Sequence, residues 1–127
     1  YDDPTTTEAP YADSDPVISD SGRPFAMQPQ VQLTPDGWVM VFRSANSYGS
    51  GGGVLRLATS QDGINWSIYD TPPITHQDVR SNANAIWFSE LVYVEDVYYL
   101  FIEVAVVDPV VGNTTEVYLA TYEGSLP

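Results

Sequence analysis

The chain has no cysteine, no lysine and a single histidine among its 127 residues. Without cysteine there is neither a disulfide framework nor a thiolate metal site. One histidine, His76, gives little support to a histidine-based metal cluster or a Ser-His-Asp triad. No metal and no cofactor is therefore expected. The four basic residues (Arg23, Arg43, Arg56, Arg80) stand against 17 acidic ones, for a formal charge of −13. That balance disfavours nucleic acid or an anionic membrane surface as the partner. It fits a secreted or salt-exposed protein, and equally an ordinary solubilising surface. No apolar run approaches the roughly 20 residues that span a bilayer. The sequence opens at Tyr1 without a signal-segment pattern, and a start at Tyr rather than Met leads to the expectation of a processed or partial chain. The Gly-rich stretch from Gly49 to Gly53 lacks the lysine and following helix of a phosphate cradle.

What is present is β-pattern. Residues 1–15 are rich in Asp, Thr and Pro and read as an extended arm. Gln28 to Leu33 alternates, Thr34-Pro35-Asp36-Gly37 supplies a turn, and Trp38 to Arg43 is dense in strand formers. Val54 to Ala58 alternates again, then breaks at Ser60-Gln61-Asp62-Gly63, where Asp-Gly suits a tight hairpin. A short outer strand is expected from Ser67 to Ile74, and a polar loop from His76 to Asn84. Further strands are expected at Ile86 to Val94, Val97 to Ala105 and Thr115 to Tyr122, with Glu95-Asp96 as a turn and a loop from Val107 to Thr115. No stretch has convincing helical periodicity, so the expected class is all-β.

The halves repeat each other. Pro29-Gln30-Val31 matches Ser89-Glu90-Leu91, Trp38-Val39-Met40-Val41 matches Tyr98-Tyr99-Leu100-Phe101, and Leu57-Ala58-Thr59 matches Leu119-Ala120-Thr121. Tyr11 followed by Pro16-Val17-Ile18 echoes Tyr69 followed by Pro72-Pro73-Ile74. A four-stranded unit recurring at about 60 residues is the mark of β-propeller blades. Lettering the strands of a blade A (inner) to D (outer), the chain reads D, then ABCD, then ABC. The expected organisation is an arm with an outer strand at 1–18, one blade at 19–74 and an incomplete second blade at 75–127.

The run from Pro29 to Trp66 resembles the five-bladed propeller glycoside hydrolases of the arabinanase and β-xylosidase type, and the related mannoside phosphorylases. Its segment from Leu57 to Trp66 is also similar to the Asp-box turn of sialidase propellers, one residue shorter. The likeness spans residues 11–123, about two blades where that family has five. It implies carboxylates on inner strands flanking a glycosidic bond, one as general acid. Glu90 matches the position of the inner-strand acid, and Trp87, Phe88 and Leu91 would desolvate it and raise its pKa. The competing reading of Glu90 is an edge carboxylate bonded to backbone or to an arginine. Gln30, its counterpart in the first repeat, cannot titrate. Asp15-Pro16 falls on an outer strand, away from any channel, and is not assigned a catalytic role. Further carboxylates would have to come from other blades. Trp87, Gln30 and Tyr99 are the candidate sugar contacts, although most aromatics of a small β domain serve the core. Asp36 and Asp62 are expected to shape their turns rather than bind calcium.

Two functions follow as expectations. One is a carbohydrate-active module that binds glycans or acts as a partial glycosidase through Glu90. The other is a non-catalytic, extracellular structural or assembly subunit. Two blades cannot close a ring, and they leave faces and edges bare. Head-to-tail association between copies, or further blades, would cover them, giving a ring or a filament in which an N-terminal segment completes a neighbour's last blade. Asn113-Thr114-Thr115 and Asn65-Trp66-Ser67 match the N-glycosylation pattern, in keeping with a secreted protein.

Overall fold

The computed structural model describes residues 17–47 and 53–126. The chain is all-β, built as two antiparallel sheets of four and three strands in the manner of an incomplete propeller. The first sheet runs in sequential order through β1 (Phe25–Thr34), β2 (Gly37–Ala45), β3 (Val54–Ser60) and β4 (Ser67–Ile68). A single turn of helix, α1 (His76–Val79), leads to the second sheet of β5 (Ala83–Val94), β6 (Val97–Asp108) and β7 (Gly112–Glu123).

Local chemistry explains the turns. Between β1 and β2, the Thr34 hydroxyl accepts from the Asp36 amide at 3.2 Å and donates to the Gly37 carbonyl at 2.9 Å. Gly37 has φ 115° and lies so close to β3 that a Cβ there would sit 2.9 Å from the Ser60 carbonyl oxygen. Between β5 and β6, Glu95 (φ 49°) and Asp96 (φ 66°) form a two-residue hairpin joining the paired Val94 and Val97. At the β6–β7 turn, the Asp108 carboxylate accepts from the amides of Val111 and Val110, which lowers its pKa.

Alternation sorts each strand into two faces. Val39, Val41 and Leu55 of the first sheet meet Leu91, Leu100, Ile102, Val104 and Val106 of the second in one core. Fully burying an aliphatic side chain of this kind contributes about 1.5–3 kcal/mol. The opposite face of the first sheet carries Met40, Phe42 and Ala58, over which Ile18, Trp66 and Ile68 pack. The sheets approach through β1 and β2 against β5. Farther out, among Leu55, Ile74, Leu100, Tyr122 and Leu126, a cavity of about 220 Å³ separates them. The pair is therefore a wedge, tight at its first strands and looser at its last.

Several expectations are corrected. Asp62-Gly63 does not make a tight hairpin, because residues 61–66 form a longer turn in which Gly63 has φ 76°. The outer strand expected from Ser67 to Ile74 shrinks to Ser67–Ile68 plus a bridge between Leu55 and Ile74, since Pro72 and Pro73 cannot donate to a ladder. The polar loop after Thr75 begins with α1, held by a reciprocal cap between Thr75 and Asp78. Four residues are too few to show a helical period. The loop expected from Val107 to Thr115 contracts to a turn, because β6 and β7 stay paired from Asp108 and Gly112 onward. Val17 and Ile18 are not in a strand. Tyr11 and Asp15-Pro16 lie outside the described residues.

Candidate functional site

The candidate site sits on the second sheet. Glu90 lies on β5 opposite Phe101 of β6, and Phe101 lies opposite Leu119 of β7. Val92 and Tyr99 pair one step along the same face. This face turns away from the inter-sheet core, and among the described residues nothing covers it. Phe101 is 41% exposed and Leu119 53% exposed. Glu90 itself is exposed, whereas Leu91 turns into the core on the other side of the strand at 4% exposure. The enclosure expected from Trp87, Phe88 and Leu91 is thus not formed by this chain alone, because Leu91 is on the wrong face and Phe88 is itself exposed.

Both first strands bulge at the same point of the repeat. In β1 the register slips between Met27 and Gln30, and in β5 it slips between Ile86 and Ser89. Each bulge lies immediately ahead of the matched pair, Gln30 and Glu90. Bulges of this sort re-aim side chains and recur beside active sites. Gln28, inside the first bulge, holds φ 54°, uncommon for a residue with a Cβ, and its side-chain oxygen is buried without a hydrogen-bond partner. Sequence reasoning passed over Gln28. Its signal was available, since it precedes Pro29 at the position matching Phe88.

The remaining candidates are distributed around these bulges. Trp87 lies within the second bulge, with the Arg43 guanidinium 5.2 Å from its ring centroid. Arg43 is buried, its Nε donates to the Ile86 carbonyl at 2.8 Å, and burial lowers its pKa. Gln30 pairs with Val41 on the face of the first sheet that meets the second. The Gln32 side-chain oxygen accepts from the Tyr93 amide at 3.3 Å, tying β1 to β5. The structure thus brings Glu90 and Tyr99 together on one open face, sets Trp87 just beyond them, and holds Gln30 on the neighbouring sheet. Glu103, which shares the open face two residues from Phe101, was also missed in the sequence, where its counterpart is Arg43.

The other titratable candidates are structural. The Asp62 carboxylate accepts from the backbone amides of Asn65 and Ile64, from the Asn65 side chain and from the Ser60 hydroxyl. Those bonds hold its pKa far below the usual carboxylate range. His76 bonds through Nδ1 to the Ala83 carbonyl at 2.8 Å, closing α1 onto β5. Among the described residues no group of three or more His, Asp or Glu side chains is placed to hold a metal ion.

Comparison of the chain with models of known protein families finds no match. A search of curated proteins likewise returns no relative at significance. No helix among the described residues is long and apolar enough to cross a membrane.

Proposed function

We propose that this chain is a carbohydrate-active module of the propeller type, working outside the cell on a glycan. The observation that carries this reading is the pair of matching bulges immediately before Gln30 and Glu90 on the first strand of each sheet. Bulges re-aim side chains and recur beside active sites, and on this proposal the two at matched points turn Gln30 and Glu90 toward a shared axis along which a sugar chain would lie. In this reading Glu90 is the general acid that protonates the leaving glycosidic oxygen, and Trp87, Tyr99 and Gln30 contact sugar rings and hydroxyls. The likeness to arabinanase and β-xylosidase-type hydrolases belongs to the same proposal. Turnover of aryl glycosides by the native protein and by Glu90→Gln tests it. Loss of about 100-fold or more in kcat is expected if the acid is removed, with KM little changed. Equal turnover in both removes the catalytic role, and absence of binding on a glycan array removes the sugar.

A second reading is favoured by a different observation, the bare apolar face of β5–β7 together with the unpaired outer edge of β7 among the described residues. Open strand edges and contiguous exposed apolar residues are surfaces on which other chains can pair or pack. Here the chain is a structural or assembly subunit, joined head to tail or to further sheets of its own kind.

A further inference from the structure

The repeat equates the faces of the two sheets in pairs. Val41 and Phe101 are counterparts on the face that the first sheet turns inward and the second leaves open. Val31 and Leu91 are counterparts on the reverse face, which the second sheet turns inward and the first turns outward. Burial differs accordingly. Val41 is 4% exposed and Phe101 41%, while Leu91 is 4% exposed and Val31 39%. At these positions each sheet is exposed where its counterpart is covered, whereas farther along the first sheet's outer face Met40 and Phe42 already lie under Ile18, Trp66 and Ile68.

We infer that a second copy of this chain seats the outer face of its β1–β3 on the open face of β5–β7, repeating between copies the packing that already joins the sheets within one. The inference rests on the assembly reading and names its two surfaces. One is Tyr99, Phe101, Val117 and Leu119, and the other is Val31 and Leu33 together with Ile18, which covers Met40 and Phe42. The segments ahead of each sheet agree with this pairing. Ile74 joins the core that holds Leu100 and bridges to Leu55, while Ile18 packs on Met40 and Phe42 in the equivalent place. In the docked pair Ile18 falls beside Val117, the counterpart of Leu55.

Charge is consistent as well. Glu103 takes the place of Arg43, and Arg43 reaches Ile86, whose counterpart is Ala26. Ala26 pairs with Ser44, whose hydroxyl donates to Asp20, and that carboxylate is shared by two guanidiniums, Arg23 and Arg56, so the second copy presents a net positive cluster there. Docking also moves Glu90 into the environment of Gln30, half-buried at the junction of two first strands. Such a contact is heterologous, with different patches on the two copies, so it closes as a ring or extends as a filament.

Sedimentation velocity at several protein concentrations tests this, in 0.5 M salt (on the order of a 4–5 Å screening length) to relieve repulsion between acidic copies. The native protein is expected to grow in mass with concentration. Leu119→Asp and Val31→Asp each weaken association by roughly tenfold or more. An equimolar mixture of the two forms a dimer and stops, because each variant retains the face the other lacks. Val110→Asp, in the β6–β7 turn, leaves association unchanged. Circular dichroism checks that each variant keeps its sheets, and Val117→Asp and Leu33→Asp serve as replacements, both positions being more than 60% exposed. A native protein that is monomeric throughout overturns the assembly reading itself. A native protein that associates, with a Val31→Asp variant that still self-associates or a mixture that fails to pair, overturns the assignment of faces and leaves assembly standing.

Discussion

Arg43 on β2 donates from Nε to the carbonyl of Ile86 on β5 at 2.8 Å, in the bulge of the second sheet's first strand. The bond is buried and crosses between the sheets, and the guanidinium also lies over Trp87. Gly53 leaves room for it, since a Cβ there would come within 3.0 Å of Arg43 Nε. Arg43→Met is therefore expected to destabilise the fold by about 1.5–3 kcal/mol, the usual worth of a hydrogen bond involving a charged group. Urea unfolding followed by tryptophan fluorescence measures it. Arg43→Lys should lose nearly as much, because an ammonium cannot offer a planar Nε–H beside a ring. Full stability of the lysine variant would show that charge alone is what the site requires.

Asp62 organises residues 61–66 through its carboxylate, and the amides of Asn65 and Ile64 keep its pKa depressed. A depressed folded-state pKa stabilises the protein above the unfolded carboxylate pKa of about 3.9, and that contribution falls away as pH drops toward the folded value. Asp62→Ala should thus lower the urea midpoint by a constant amount between pH 7 and about pH 4–5, with the gap narrowing below that range. A gap that stays the same at pH 2.5 would mean that the carboxylate's charge plays no part in the turn.

The strands were legible in the sequence wherever alternation ran for several residues, as in Trp38 to Arg43 or Val97 to Ala105. The repeat was legible because matched residues occupy matched faces, so that Val41 and Phe101 had to be alike. Some features were hidden for physical reasons. The capped turn of α1 is shorter than one helical period. The bulges at Met27/Gln30 and Ile86/Ser89 shift register without leaving a glycine, so composition did not mark them. The exposure of Glu90 was also out of reach: alternation separates it from Leu91, but which of the two faces the first sheet covers depends on packing between sheets and is not written in β5. The turn at Asp62 was half-read. Its Asp-Gly pair was correctly placed at a turn, but the side-chain bonds that lengthen it to six residues depend on Ser60 and Asn65 together.

At the β5–β6 hairpin both connecting residues adopt left-handed backbone, Glu95 at φ 49° and Asp96 at φ 66°. Asp tolerates that region and its carboxylate also accepts from the Tyr93 hydroxyl at 3.0 Å, so Asp96 is well placed. Glu95 has no such compensation among the described bonds. Glu95→Asn should therefore stabilise the protein by about 0.5–1 kcal/mol, as residues suited to such turns do. The measured change should persist in high salt, since it comes from backbone preference. A gain that vanishes in 1 M salt would instead trace to removing one negative charge from an acidic surface.

The two N-glycosylation triplets are placed differently. Asn65 donates its side-chain amide to Asp62 at 2.7 Å inside the turn, so a glycan on that nitrogen would remove a bond the turn uses. Asn113 is exposed at the start of β7, opposite Val107 on the margin of the open face. Protein secreted from a eukaryotic host should therefore carry its glycan at Asn113, with Asn65 bare in the folded fraction. Mass spectrometry of glycopeptides decides this, and Thr115→Ala should remove the added mass while Ser67→Ala leaves it. Equal occupancy at Asn65 in folded protein would show that the Asp62 turn does not need that amide. Because a glycan at Asn113 would stand beside the face of β5–β7 proposed above to receive a second copy, the glycosylated form should, on that proposal, associate more weakly than the Thr115→Ala form at equal concentration.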